Sequence, residues 1–136
     1  MNIVDQLLKA DVKKAEEFNE GVFQSKRLAK ILGADEPVPV KIKELPTRRL
    51  NDFVAYQTKS NGTTDYSKTY DTNLMACVEG CVEPNLMSRD LQEHFGCKSA
   101  KELAEKLFRG EATDIAAAIA ELSGINDDTA EEEVKN

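Results

Sequence analysis

Val38-Pro39-Val40-Lys41-Ile42-Lys43-Glu44-Leu45 is the stretch that decides the fold class. Val38, Val40 and Ile42 alternate with polar or proline positions, the period of a strand with one buried face. Most of the other apolar residues recur every three or four positions, the period of helices. One clear strand among such helices makes the chain α+β and mainly α. Pro39 has no backbone donor to give to a ladder, which predicts that this strand is a sheet edge. Its expected partner is a short strand around Val22 to Gln24, joined to it by a helical turn that ends at Gly33. The expectation is a small two-stranded β element in the N-terminal half, packed on a C-terminal cluster of four helices.

On the N-terminal side, Ile3, Val4, Leu7 and Leu8 fall at helical spacing, with Asn2 as N-cap and Asp5 in the first turn, where the helix dipole favours an anion. From Asp11 to Gly21 the chain is dense in Lys and Glu, with Val12, Ala15 and Phe18 apolar. That run reads equally as a continuing helix or a solvated connector.

On the C-terminal side, Pro46 and Thr47 open a helix carrying Leu50, Phe53, Val54 and Gln57. Ser60-Asn61-Gly62-Thr63-Thr64 is loop chemistry, and any sub-division of the chain falls there, near 58–64. Four helical patterns follow. The first carries Tyr66, Tyr70, Leu74, Cys77, Val78 and Cys81 on one broad face and stops before Pro84. Ser88 caps the second, with Leu91 and Phe95, closed by Gly96. Ser99 with Glu102 makes a capping box for the third, whose stripe is Leu103, Leu107 and Phe108 before Gly110. The fourth starts near Thr113, turns Ile115, Ile119 and Leu122 inward and ends at Gly124. Residues 1–125 read as one domain. Residues 126–136, with Asp127, Asp128, Glu131, Glu132 and Glu133 against Lys135, read as an acidic disordered tail.

Composition narrows the function. In 136 residues, 40% hydrophobic and 32% charged, there is room for one modest core. No run approaches the roughly 20 apolar residues that span a membrane, so the protein is expected in the cytoplasm with no membrane partner. A formal charge of -7 repels nucleic acid as well as anionic lipid. Three cysteines cannot close a disulfide framework, and reduced thiols fit an intracellular setting.

Catalytic chemistry is sparse. The seven glycines are scattered singly, so no phosphate-cradling loop exists. His94 is the one histidine, which leaves a Ser-His-Asp triad unsupported. Cys77, Cys81, His94 and Cys97 could in principle ligate zinc, since residues at i and i+4 share a helix face. Against that, Cys77 and Cys81 share the apolar stripe of Leu74 and Val78, where a free cysteine acts as a small hydrophobe. Neither catalytic residues nor a cofactor is expected. Lys41, Lys43, Arg48 and Arg49 form a local basic patch. Its sharper reading is a small regulatory nucleic-acid-binding protein using Lys41 to Arg49. Its plainer one is a solvated edge whose lysines discourage strand pairing.

Several strings, in order along nearly the whole chain, carry a resemblance: Ile3-Val4-Asp5-Gln6-Leu7-Leu8-Lys9-Ala10-Asp11, then Lys26-Arg27-Leu28-Ala29-Lys30-Ile31-Leu32-Gly33 leading into the Val38 strand. The C-terminal series is Glu79-Gly80, Pro84-Asn85-Leu86, His94-Phe95-Gly96, Glu102-Leu103, Lys106-Leu107, Gly110-Glu111 and Leu122-Ser123-Gly124. Their order and spacing resemble the XkdN-like phage tail assembly chaperone family. The resemblance implies a non-enzymatic protein of the bacterial host cytoplasm. Such a protein binds the long helical tape-measure protein, helps recruit tail-tube subunits around it, and self-associates. It transfers no catalytic residues. For the partner-binding surface the sequence singles out the stripe Ile3, Val4, Leu7 and Leu8, because a terminal amphipathic helix can pair with a helical partner. The plain alternative is that this stripe packs on the protein's own core.

Overall fold

The structure, a computed structural model, describes residues 2–124; the tail expected at 126–136 lies outside the described residues. The chain opens with two short helices, α1 (Ile3–Leu8) and α2 (Val12–Glu16). The Asn2 side chain accepts from the Asp5 N–H at 2.9 Å and Asp11 from the Lys13 N–H at 3.0 Å, so each start has a polar cap for an orphan donor. The charged run after Asp11 thus contains both readings, a brief helix and then a connector into the sheet.

Strands β1 (Glu20–Ser25) and β2 (Val38–Lys43) pair antiparallel, from Glu20 opposite Lys43 to Ser25 opposite Val38. Helix α3 (Lys26–Leu32) joins them. It begins at Ser25, whose Oγ accepts from the Leu28 N–H at 3.0 Å, and ends at Gly33, whose φ of 69° is the left-handed cap a glycine takes freely. Val40 and Ile42 are buried while Pro39 and Lys41 face outward, as the alternation predicts.

Two expectations about the sheet are corrected. It has three strands, not two, and β2 is the central strand, not an edge. The third strand, β3 (Cys81–Glu83), pairs antiparallel with β2 at Lys41 opposite Glu83 and Ile42 opposite Cys81. Because β3 reaches no further along β2 than Lys41, Pro39 lies beyond its end and takes no donor from that ladder. Three residues are too few to show a strand's period, and Cys81 fits the helical stripe before it, so the sequence hides β3.

The remaining helices are α4 (Thr47–Gln57), α5 (Tyr66–Gly80), α6 (Arg89–His94), α7 (Ala100–Phe108) and α8 (Glu111–Leu122). Helix α5 packs on α4, α7 and α8, and α8 also lies against β1 and β2. One hydrophobic cluster joins β2, α5, α7 and α8 through Val40, Ile42, Cys77, Leu103, Phe108 and Ile115. The expected serine caps form, Ser88 Oγ accepting from the Leu91 N–H and Ser99 Oγ from the Glu102 N–H, but the return half of the capping box goes one residue further back, Glu102 Oε2 accepting from the Lys98 N–H at 2.7 Å. At Gly80, the last residue of α5, a Cβ would stand 2.4 Å from Ile119 Cδ1, so the close approach of α8 needs a residue without a side chain there.

One finer expectation fails: Val54 and Tyr66, placed on inward stripes by spacing, are exposed. Helix α8, expected to start near Thr113, begins at Glu111, and the residue of positive φ between α7 and α8 is Arg109 (φ 50°).

Candidate partner-binding surface

The stripe singled out in the sequence stays free of the protein's own core. Neither α1 nor α2 contains a buried residue. Ile3, Val4, Leu7 and Leu8 are 71%, 58%, 66% and 80% exposed. A helix this short is marginal alone, and its polar cap orders it without hiding its apolar side. Val12 and Phe18 continue the exposed apolar residues toward the sheet.

Phe18 then lines a groove of about 600 Å³ together with Lys43, Leu45, Val78, Val82 and Met87. Val82 and Met87 are exposed as well, so the groove has an apolar rim running from Phe18 to β3. The arm is anchored where it enters β1. The Asn19 N–H donates to Glu44 Oε1 at 2.7 Å, the Glu44 N–H donates back to the Asn19 carbonyl, and Asn19 Nδ2 donates to the Leu122 carbonyl at 3.0 Å. Sequence reasoning missed Val82 and Met87. The signal available for Phe18 was an aromatic residue in a run otherwise too charged to bury one.

The basic patch is partly used up inside the molecule. Arg49 holds Glu79 through a two-pronged contact, Nε to Oε1 at 2.7 Å and the terminal nitrogen to Oε2 at 2.8 Å, and sits 4.6 Å over the Phe53 ring. That bond to Glu79 raises the Arg49 guanidinium above its ordinary range. Lys41 pairs with Glu83 at 3.4 Å. Lys43 and Arg48 make no ion pair among the described residues. With only two cations of the patch lacking an ion pair among the described residues, on a chain of charge -7, the patch forms a poor footprint for nucleic acid.

The cysteine constellation is not assembled. Among the described residues no group of three or more His, Cys, Asp or Glu is placed to hold a metal. Cys77 and Cys81 are free thiols that lie together in the core, and the pKa of the Cys77 thiol, hydrogen-bonded to Cys81 and cut off from water, is pushed up, away from the reactive thiolate. His94 is exposed, its ring edge-on to Phe95 at 5.0 Å, and Cys97 sits apart in a cleft beside Leu74 and Arg109. The polar groups of that cleft are engaged with one another: Tyr70 with Glu105, Lys101 with Asp71, and Lys106 Nζ with the Phe95 carbonyl. None of the helices in the described residues is long and apolar enough to cross a membrane.

Fold and surface define a small, mainly helical α+β protein with a three-stranded antiparallel sheet and an apolar N-terminal arm. The profile of the phage XkdN-like tail assembly chaperone proteins matches residues 4–135, and the chain belongs to that family. Its role in the broad sense is therefore that of a phage tail assembly chaperone, with tail proteins as partners. Among solved structures, the crystal structure of the protein yqbn is similar with a TM-score of 0.54 at 18% identity, over 81% of this chain and 90% of that one. At that identity the likeness concerns the fold alone. No curated protein matches.

Proposed function

We propose that this protein binds the tape-measure protein, keeps that long helical chain soluble, and helps recruit tail-tube subunits to it. The grip lies in the stripe Ile3, Val4, Leu7 and Leu8, continued by Val12 and Phe18 into the groove at Val82 and Met87. What carries the reading is the exposure of all four stripe residues in a family of tail assembly chaperones. Fully burying such side chains yields about 1.5–3 kcal/mol each, roughly 6–12 kcal/mol for four. Association itself costs about 4–15 kcal/mol, so the arm alone gives a weak, reversible grip, suited to a holder that tube subunits must displace.

The test is the double variant Leu7→Ser with Leu8→Ser, co-expressed with the tape-measure chain of the same phage. The expected result is a chaperone of unchanged unfolding midpoint beside a client that has lost solubility. A client just as soluble with the variant would overturn the reading, as would a large drop in the variant's own stability.

A further inference from the structure

Arg109 lines a cleft of about 720 Å³ together with Leu74, Gly96, Cys97, Lys101 and Lys106. The other charged groups of this cleft have partners inside the protein. Lys101 pairs with Asp71, Lys106 Nζ donates to the Phe95 carbonyl, Glu105 accepts from Tyr70, and Glu102 accepts from the Lys98 N–H at 2.7 Å. Arg109 is exposed and makes no ion pair among the described residues. Its backbone is fixed at both ends, the N–H donating to the Glu105 carbonyl at 3.0 Å and the carbonyl meeting the Tyr70 hydroxyl at 3.3 Å. It is held at φ 50° and ψ -125°, a state that favours glycine, although Gly110 stands one position later in ordinary helical geometry. Strain of this kind gathers at binding sites, where the placement of a side chain offsets it.

We propose that this cleft binds an acidic segment of a partner polypeptide, with one carboxylate on the Arg109 guanidinium and a neighbouring apolar side chain against Leu74 and Cys97. Arginine suits the role because its planar fork offers a carboxylate two parallel hydrogen bonds. Three cations line the cleft against the carboxylates of Glu102 and Glu105. Asp71 balances Lys101, while Lys106 meets only a neutral carbonyl, so the positive field is concentrated at Arg109 and Lys106. Glu102 and Glu105 each already accept a hydrogen bond, which softens their repulsion of an incoming acid. The volume lies in the range that holds drug-sized ligands, far more than an inorganic anion fills and enough for a few residues of chain. The choice of a polypeptide rests on the family's role with tail proteins. The site itself is separate from α1 and from the groove at Phe18, and it does not depend on the client reading above.

The experiment titrates the full chain with two blocked dipeptides, N-acetyl-leucyl-glutamate amide and N-acetyl-leucyl-glutamine amide, and follows the backbone amide resonances of Gly96, Cys97 and Arg109. Saturable shifts are expected, with the glutamate peptide bound about threefold to tenfold more tightly than the glutamine peptide at low salt. Arg109→Gln should erase that preference. Arg109→Gly, which relieves the backbone, should erase it too, because the guanidinium and not the strained peptide unit is recognised. Equal affinities in wild type, or a preference that survives in either variant, would overturn the site. Inorganic phosphate that moves the same resonances at concentrations as low as the glutamate peptide would overturn the polypeptide ligand. The variant Leu7→Ser with Leu8→Ser should keep the full preference, so the client reading and this site can fail separately, and loss of the preference there would overturn their independence.

Discussion

Ser25 and Glu111 meet across 86 residues of sequence, Ser25 Oγ donating to Glu111 Oε1 over 2.6 Å. The same carboxylate accepts from the Lys26 N–H at 2.9 Å and the Arg27 N–H at 3.3 Å. One side chain in the first turn of α8 thus closes the start of α3, and both helix N-termini favour its negative charge. Ser25 is fully buried, so losing Glu111 strands a buried hydroxyl along with two backbone donors. Glu111→Ala is expected to lower stability by about 1–3 kcal/mol, and Glu111→Gln by less, because its amide oxygen still accepts. Urea unfolding measures both, and an alanine variant within about 0.5 kcal/mol of wild type would show that water replaces the carboxylate at no cost.

Gly80 of α5 packs against Ile119 of α8. An added Cβ would stand 2.4 Å from Ile119 Cδ1 and 3.0 Å from its Cγ1, and Ile119 is fully buried with a stiff, branched χ1. Gly80→Ala is therefore expected to cost about 1–3 kcal/mol through overpacking, despite alanine's better helix propensity. Combining it with Ile119→Val, which removes the clashing Cδ1, should recover part of that loss in a double-mutant cycle. Additive losses would show that α8 shifts away instead.

What the sequence revealed follows how far each signal extends along the chain. The caps at Asn2, Ser88 and Ser99 and the Val38 to Ile42 alternation are local patterns, and each appears in the structure where its residues predict. The third strand was hidden because Cys81 to Glu83 is shorter than a readable period and borrows its register from β2. Pro39 misled for the same reason, since whether a proline sits beside a partner depends on the length of the neighbouring strand. The exposed stripe on α1 was readable as amphipathic. That it faces solvent is a tertiary fact, as is the groove joining Phe18 to Val82 and Met87 across three separate segments.

Arg109 holds φ 50° and ψ -125° between α7 and α8, a backbone state that glycine takes without strain and arginine does not. Gly110 follows it in ordinary helical geometry. Strain of about 1–3 kcal/mol at such a position outweighs the roughly 0.5–1 kcal/mol of entropy that glycine adds to the unfolded chain. Arg109→Gly is thus expected to stabilise the protein by about 1 kcal/mol. A raised urea midpoint with an unchanged slope would bear this out, and a lowered midpoint would mean that the side chain contributes more than the backbone strain removes.

Tyr70 gives the protein a readable alkaline transition. Its hydroxyl donates to Glu105 and contacts the Arg109 carbonyl at 3.3 Å. Burial, then the hydrogen bond to Glu105 and that carboxylate's charge, push its pKa up to about 12 from the ordinary 10.0. Between those two values the folded chain keeps a proton that the unfolded chain has released, so stability falls as pH rises through the window and the contribution is complete below it. Tyrosinate absorbance should show a component with a midpoint of about 12 that disappears in Tyr70→Phe. In Glu105→Gln that component should move to lower pH, because burial remains while the carboxylate's share is gone. Urea midpoints of wild type and Tyr70→Phe should converge or cross over the same alkaline range. Curves that stay parallel there would mean that Tyr70 is hydrated and its bond to Glu105 is not kept in solution.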